Sequence, residues 1–533
     1  MASPLRVRPS GVLMYPAYWF WTVPSVILDE RVQYYLQEFS MALQGQPAPV
    51  VARDLFIGNE WRPSADGRSE SLINPATEER FGRVALASSA DVDAAVRAAR
   101  TAFDEGPWPQ LSLKERADYM LALADEIEQH TDAIAEVVMA ETGLVVGAAR
   151  GNPLAFAGLL RYYASLADSI ELQEVRTGLT GVTARIEKRP VGVVAAIVPW
   201  NAPLGLAAFK LPPALLAGCT IIMKPSDFSP LSAGYIADAA LRIGLPAGVI
   251  NILTAGPEQS QQLVSHPGVD KVTFTGSTTV GRAIAAAAAP TLKQVTLELG
   301  GKSPAVILPD ADLERLVYTL PINVCNNNGA QCTDPSRLIV PESRKDEIVG
   351  ALAEAFARVK VGDPADPDVM VGPMINKAHY DKVLGFFETA RQEGATFAVG
   401  GGRAPGFDKG YYVSPTIITN VSPDSRVAQE EIFGPVTAVL TYRDEAEAIR
   451  LANHTEFGLN AAVYGSDEQH ALEVARKIHS GTVSINNGIT IDLAVPFGGV
   501  KQSGYGRELG PEGLDAFYNT HAIFLDGEPI VTL

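Results

Sequence analysis

The sequence predicts an α/β protein with two regions in which strands and helices alternate, the first of them built on a parallel sheet. Three observations carry that expectation. Short apolar runs of strand length alternate with stretches of helical periodicity along most of the 533 residues. In the first alternating region the polar residues gather at the ends of the apolar runs. The composition, 47% hydrophobic and 20% charged, is that of a folded chain long enough for several cores.

The elements follow in chain order. Ser88 and Asp91 form a helix N-terminal box, after which Val92, Val96, Ala99 and Phe103 recur at helical spacing. Charged, amphipathic helices continue through 114–142. From residue 191 the rhythm changes. Strands are expected at 191–198, 220–224, 249–253, 271–274 and 294–297, with helices at 204–216, 231–243 and 280–288. Such crossovers bury a parallel sheet on both faces, and ligands bind beyond the carboxyl ends of its strands. Asn201, Lys224, Asp227, Thr275, Ser277 and Glu298 lie at those ends. A second alternating region runs over about 304–486, with strands at 338–340, 436–442, 461–464 and 482–485 and helices at 344–358 and 468–478. Gly400, Gly401 and Gly402 read as a loop, and residues 183–188 alternate in strand fashion.

Charge and cysteine content exclude several classes. With 43 Lys and Arg against 61 Asp and Glu the net charge is −18, which argues against nucleic acid as a partner. Three cysteines make no disulfide framework, no CxxC pair and no HExxH occur, and so no metal site is expected. Unpaired cysteines fit a reducing compartment, and the expectation is cytoplasmic. Residues 11–28 are uncharged and follow Arg6 and Arg8, as in a signal peptide or a membrane span. Pro16 and Pro24 interrupt them, the stretch is short, and no A-x-A-like site follows, so no stable span is expected. Residues 1–50 are set aside as an N-terminal extension without an assigned role; Met14 and Met41 are alternative starts.

Four places have the residue types of a reaction site, each with a plainer alternative. Residues 276–281 (Gly-Ser-Thr-Thr-Val-Gly) follow a strand and open a helix, which suits a phosphate or serves as an ordinary turn. Arg282 and Ala283 then rule out a P-loop. Lys224 and Asp227 at a strand end suit the hydroxyls of a ribose, or form a surface ion pair. Cys332 lies in the polar stretch 326–333, where a thiolate would be a nucleophile; the alternative is a core cysteine. Cys219 reads as core, and Cys325 fits either role. Glu298 ends an apolar strand, where burial raises a carboxyl pKa and suits a general base; the alternative is a turn cap paired with Lys302.

The motifs taken in order are more specific than any one of them. They are Pro199-Trp200-Asn201, Lys224-Pro225-Ser226-Asp227, Phe274-Thr275-Gly276-Ser277, Glu298-Leu299-Gly300-Gly301-Lys302, Cys332, Glu431-Ile432-Phe433-Gly434-Pro435, and Pro496-Phe497-Gly498-Gly499 with Lys501, Ser503 and Gly504. This set resembles the aldehyde dehydrogenase superfamily over about residues 54–525. The resemblance implies oxidation of an aldehyde to a carboxylic acid with NAD. Cys332 would form a thiohemiacetal and then a thioester, Asn201 and the Cys332 N–H would hold the oxyanion, and Glu298 would activate the hydrolysing water. Lys224 would contact the adenosine ribose, Ser277 the pyrophosphate and Glu431 the nicotinamide ribose, with Phe433 near the ring. Pro199, Trp200, Ser226, Asp227, Gly276 and Leu299 would complete the cofactor contacts.

The resemblance also implies a substrate tunnel at Ala202, Phe209, Asn326, Ile491 and Phe497, partly apolar and open enough for medium or large aldehydes. It implies an NAD-binding domain at 51–171 and 191–301 and a catalytic domain at 302–503. An oligomerisation arm at 172–190 and 504–533 would make a homodimer or homotetramer. Three departures stand out. Gly329-Ala330 replaces the family's Gly-Gln before the nucleophile, Ala202 replaces a bulky aromatic, and Asp227 replaces a Glu. A carboxylate at 227 repels a 2′-phosphate, so NAD is expected, and the shorter Asp leaves room for NADP. A CoA-acylating dehydrogenase and an idle binding homologue are the competing readings. Glu298 argues against the first, and the intact Cys332, Glu298 and Asn201 against the second.

Overall fold

Buried β-branched runs bounded by polar turns become strands, and their order in space decides where a ligand can sit. The computed structural model describes residues 51–179 and 181–525; the extension 1–50 and the end of the expected arm, 526–533, lie outside the described residues. The first sheet has eight strands in the order Gly504–Tyr505, Gln294–Glu298, Lys271–Thr275, Val193–Ile197, Thr220–Lys224, Ile250–Ile252, Leu55–Ile57 and Glu60–Arg62. The five from Gln294–Glu298 to Ile250–Ile252 are parallel. The chain starts at Val193–Ile197, steps outward twice, then returns to lay Lys271–Thr275 on the other side. The strand order therefore reverses beside Val193–Ile197, the place at which open α/β sheets take ligands in a crevice at the carboxyl ends.

Helices cover both faces. Ser88 caps Ser89–Asp104 with reciprocal bonds to Asp91, and Val92, Ala95, Val96 and Ala99 form its buried stripe. The single helix expected at 204–216 is instead two, Pro203–Ala207 and Leu211–Ala217. Pro212 and Pro213 fit the first turn of the second helix but not the interior of a continuous one. The break sets Phe209 and Lys210 between the two pieces.

The second sheet has seven strands: Thr396–Val399, Thr416–Thr419, Val436–Tyr442, Arg337–Pro341, Pro304–Ile307, Asn460–Tyr464 and Thr482–Ile485. All pair in parallel except the first two. Separate apolar cores lie on its two faces. Val51–Arg53, Arg80–Ala85 and Ser69–Ile73 make one small sheet. Tyr518–Phe524, Thr183–Pro190 and Gln173–Thr177 make another, antiparallel throughout.

The tail after residue 503 divides between two sheets. Tyr518–Phe524 joins Thr183–Pro190, but Gly504–Tyr505 pairs antiparallel with Leu297 and Glu298 at the edge of the first sheet. Gly504 has φ +114°, and a Cβ there would collide with the Leu297 carbonyl, so only glycine lets the tail approach this closely. Among the described residues no helix is long and apolar enough to cross a membrane, and no cluster of His, Cys, Asp and Glu suits a metal ion.

Candidate active site

The loop that presents Cys332 is built from residues that tolerate left-handed backbone. Helix Leu313–Cys325 ends at Asn326; Asn327, Asn328 and Gly329 then have φ of 54°, 59° and 69°. Asparagine accepts this conformation better than most residues. The Asn328 amide donates to the carbonyls of Gly143 (2.9 Å) and Pro373 (3.1 Å) and accepts from the Gly372 N–H (2.7 Å). At Gly329 any Cβ would collide with the Gly434-Pro435 backbone. The loop is thus anchored from three directions.

Cys332 is half-buried, whereas Cys219 and Cys325 are fully buried. Burial pushes the Cys219 thiol up to about 11 and the Cys325 thiol higher still. Cys325, open on sequence, is therefore core. The Cys332 thiol is also held well above its ordinary value, first by burial and then by the carboxyls of Glu431, Glu298 and Asp334. It packs against the large apolar core that also holds Phe209 and Phe497, whose rings meet edge-on at 6.0 Å, and against which Leu206, Ile491 and Leu493 pack as well. Of the other expected tunnel residues, Ala202 is half-buried before Pro203–Ala207, and the Asn326 carbonyl accepts from Gln331 Nε2 at 3.0 Å.

Asn201 follows the strand Val193–Ile197 and is buried; its Nδ2 donates to the Ala330 carbonyl at 2.8 Å, two residues before Cys332. The amide carries a second N–H.

Glu298 is the last residue of its strand, is 2% exposed, and neither carboxyl oxygen has a hydrogen-bond partner among the described residues. Burial and then Glu508 raise its pKa well above the ordinary carboxylate range, opposed by Lys210 and Arg507. A Cβ at Gly498 would stand 2.7 Å from its Oε1, so glycine keeps that side open. The pairing with Lys302 considered on sequence does not form: Lys302 is buried, and its Nζ has no partner among the described residues. Beside Glu298 stands an ion pair that sequence reasoning missed. Lys210 Nζ, fully buried, donates to Glu508 Oε1 at 2.6 Å and Thr275 Oγ1 at 2.7 Å. No local pattern marks either residue, because 298 positions separate them.

The crevice at the strand reversal collects the remaining residues. Lys224 ends its strand, where burial lowers its pKa and the Asp227 carboxylate opposes the fall. The Ser226 hydroxyl accepts from the Phe228 N–H at 3.2 Å and reaches Asp227 Oδ1 at 3.4 Å. Ser277 caps the 11-residue helix Thr278–Ala288 through the Val280 N–H. A Cβ at Gly276 would displace the Phe274 ring, and one at Gly281 would displace the Leu299 side chain. Glu431 Oε1 accepts from the Gly301 N–H at 2.9 Å, and a Cβ at Gly300 would press on Oε2 at 3.0 Å.

Trp200, after Pro199, meets Phe433 edge-on at 5.4 Å and His379 at 5.0 Å. Phe433 has φ +66°, and its carbonyl accepts from His379 Nε2 at 2.7 Å. Burial lowers the His379 pKa to about 4, so the ring is neutral with its proton on Nε2. Sequence reasoning missed His379, which lies on an ordinary amphipathic helix, Lys377–Gln392.

Comparison with known proteins gives the same assignment from outside the site. Residues 61–523 match the aldehyde dehydrogenase family model. Geranial dehydrogenase of Castellaniella defragrans is 44% identical over 474 residues, 89% of this chain and 98% of that one. Betaine aldehyde dehydrogenase of Staphylococcus aureus, solved with NAD+, superposes with a TM-score of 0.88 at 36% identity, covering 90% of this chain and 96% of that one. An aldehyde dehydrogenase of Mycobacterium tuberculosis, also solved with NAD+, gives 0.88 at 40% identity over 91% of this chain and all of that one. The match spans nearly all of the described residues, and the chain belongs to the aldehyde dehydrogenase family, oxidoreductases that act on aldehydes.

Proposed function

We propose that this chain oxidises an aldehyde to a carboxylic acid, with Cys332 as covalent nucleophile and NAD as the hydride acceptor. The observation that carries the reading is the presence of a half-buried cysteine, an unpartnered buried carboxyl and a tethered amide at Cys332, Glu298 and Asn201. The Cys332 thiol gives its proton to water, Sγ attacks the aldehyde carbon, and the free N–H of Asn201 with the Cys332 N–H holds the developing oxyanion. Glu298 later takes a proton from water, whose oxygen attacks the thioester carbonyl. The Cys332 thiolate leaves and the acid is released.

The crevice fits a dinucleotide. It lies at the reversal of strand order, glycine opens the turn at 276, and Glu431 is seated on a backbone N–H. Lys224, Ser226 and Asp227 hold the adenosine ribose, Gly276 and Ser277 the pyrophosphate, and Glu431 the nicotinamide ribose. Phe433, Trp200, Pro199 and Leu299 wall the ring end. When bound, the cofactor accepts the hydride whose loss leaves a thioester on Cys332.

The apolar surroundings of Cys332 suit an uncharged aldehyde of medium or large size, the class to which the geranial of the 44% identical relative belongs. Exposed Val175 and Phe524 on the three-stranded sheet suit a homodimer or homotetramer. Three free cysteines, one of them the nucleophile, suit a reducing cytoplasm.

The test is NADH absorbance over a panel of aldehydes, with and without CoA, for wild type and Cys332→Ala. NADH formation without CoA, lost in the variant while NAD still binds, is expected. Turnover that survives Cys332→Ala, or that requires CoA, rejects the reading.

A further inference from the structure

The proposed mechanism leaves one ionisable group beside the nucleophile without a task. Asp334, two residues after Cys332, is 6% exposed, and neither of its carboxyl oxygens has a hydrogen-bond partner among the described residues. Its backbone is fixed. The Ser336 N–H donates to the Asp334 carbonyl at 2.7 Å, and Asn460 Nδ2 donates to the neighbouring Thr333 carbonyl at 2.9 Å. The side chain is therefore held in the interior, with no turn of the loop to carry it to water.

The charged groups that act on this carboxyl and on the thiol are all acids, and the Gln331 backbone N–H partly offsets them at Asp334. Asp334 feels Glu431 from the segment before Pro435, and it acts in turn on Cys325 at the end of helix Leu313–Cys325 and on Cys332 in its own loop. Cys332 also faces Glu298 from the first sheet. The nearby cations Lys302 and Lys382 act on Glu431 instead. A buried site with this surround accommodates one negative charge poorly and two worse.

We propose that Asp334 is a positioning residue for charge at the nucleophile: it competes with Cys332 for negative charge in the loop and, together with Glu431 and Glu298, keeps the thiol protonated in the free protein. A carboxyl is intrinsically the stronger acid, at about 3.9 against about 8.5 for a thiol, so the loop's first proton leaves Asp334. The second, from the thiol, then leaves against a like charge, and the two groups titrate as a pair. The inference deepens the reading of Cys332 as nucleophile, but its test reads the thiol directly and stands apart from turnover.

The experiment is the rate of iodoacetamide alkylation of Cys332 against pH in the full-length, cofactor-free protein, with Cys332→Ala as blank. Asp334→Asn and Asp334→Ala should both move the midpoint of thiol reactivity down by about one pH unit. That is about a tenfold faster alkylation at a fixed pH below the midpoint. Asp334→Glu keeps the carboxyl and should keep the wild-type midpoint. An unmoved midpoint in the Asn and Ala variants overturns the proposal. An equal shift in Asp334→Glu also overturns it, because loop distortion would then be the cause. Should the variants not fold, the wild type gives the same answer by infrared difference spectroscopy. In a pH titration the buried carboxylate band should appear below the midpoint of thiol alkylation, and a band that appears only above that midpoint rejects the competition.

Discussion

The side-chain amide of Asn327 donates to the main-chain carbonyl of Asn201 at 2.7 Å, and the amides of both residues converge on the Ala330 carbonyl, at 3.2 Å and 2.8 Å. Asn201 follows a strand of the first sheet, and Asn327 precedes a strand of the second. The amide proposed to hold the oxyanion and the loop that carries the nucleophile are thus positioned against each other directly, not through the surrounding cores.

Asn327→Ala should therefore cost both stability and rate. It removes a donor from two buried carbonyls, about 1–3 kcal/mol, and leaves a residue with a Cβ at φ 54° without asparagine's local compensation. The expected result is a lower melting temperature and a fall in kcat larger than the change in KM. Asn327→Gly relaxes the backbone but not the hydrogen bonds, so it should recover part of the stability and little of the rate. Wild-type kcat in both variants would mean that the two loops hold their places independently.

His379 gives a pH prediction. Its folded pKa is depressed to about 4 by burial, whereas an unfolded histidine titrates near 6.5. As pH falls below the unfolded value the unfolded chain binds a proton that the folded chain refuses. The stability His379 contributes is thus present above about 6.5 and lost as pH falls toward 4, by at most about 1.4 kcal/mol per pH unit. Urea unfolding at pH 7 and pH 5 should show a smaller loss in His379→Gln than in wild type, because glutamine does not titrate. An identical loss in both would assign the acid sensitivity to other groups.

The legible parts of this molecule are those with a local cause. Strand ends at Lys224 and Glu298, the box at Ser88 and Asp91, and the glycine turn at 276 each follow from neighbours a few residues away. The break between Ala207 and Leu211 could have been read from Pro212 and Pro213, which suit a helix start, but the apolar run masked it. Gly504 joined the first sheet because of a carbonyl that lies over 200 residues earlier in the chain. Lys210–Glu508, His379–Phe433 and Asn327–Asn201 are likewise long-range, and no period or motif encodes them. Asp334 was legible as a residue but not as a problem, since only the fold shows that its carboxyl is buried without a partner.

Glu298→Gln separates formation of the thioester from its hydrolysis. The amide keeps the shape beside Gly498 but removes the base. A burst of NADH followed by a slow steady state is expected. Because the Glu298 carboxyl is raised by burial, the wild-type steady state should climb with pH to a point above the ordinary carboxylate range, and the variant should lose that limb. Steady-state turnover equal to wild type with no burst would remove Glu298 from the hydrolytic step.

Cofactor choice should turn on Asp227. It lies three residues after Lys224, beyond the end of the strand Thr220–Lys224, and the Ser226 hydroxyl donates to the same carboxylate at 3.4 Å. A carboxylate there accepts from both hydroxyls of an adenosine ribose and repels a phosphate on the 2′ position. Unit charges about 4 Å apart interact by about 1–4 kcal/mol between bulk water and a protein surface, which favours NAD over NADP by roughly five-fold to several hundred-fold. Lys224 acts in the other direction. Burial already disfavours its charged form, so a phosphate would stabilise it, and the real preference should fall toward the lower end. Asp227→Ser removes the repulsion and keeps a hydrogen-bonding group. The ratio of kcat/KM for the two cofactors, measured with one aldehyde, should narrow mainly through better use of NADP. A wild type that prefers NADP, or a ratio that stays put in the variant, would show that another residue reads the ribose.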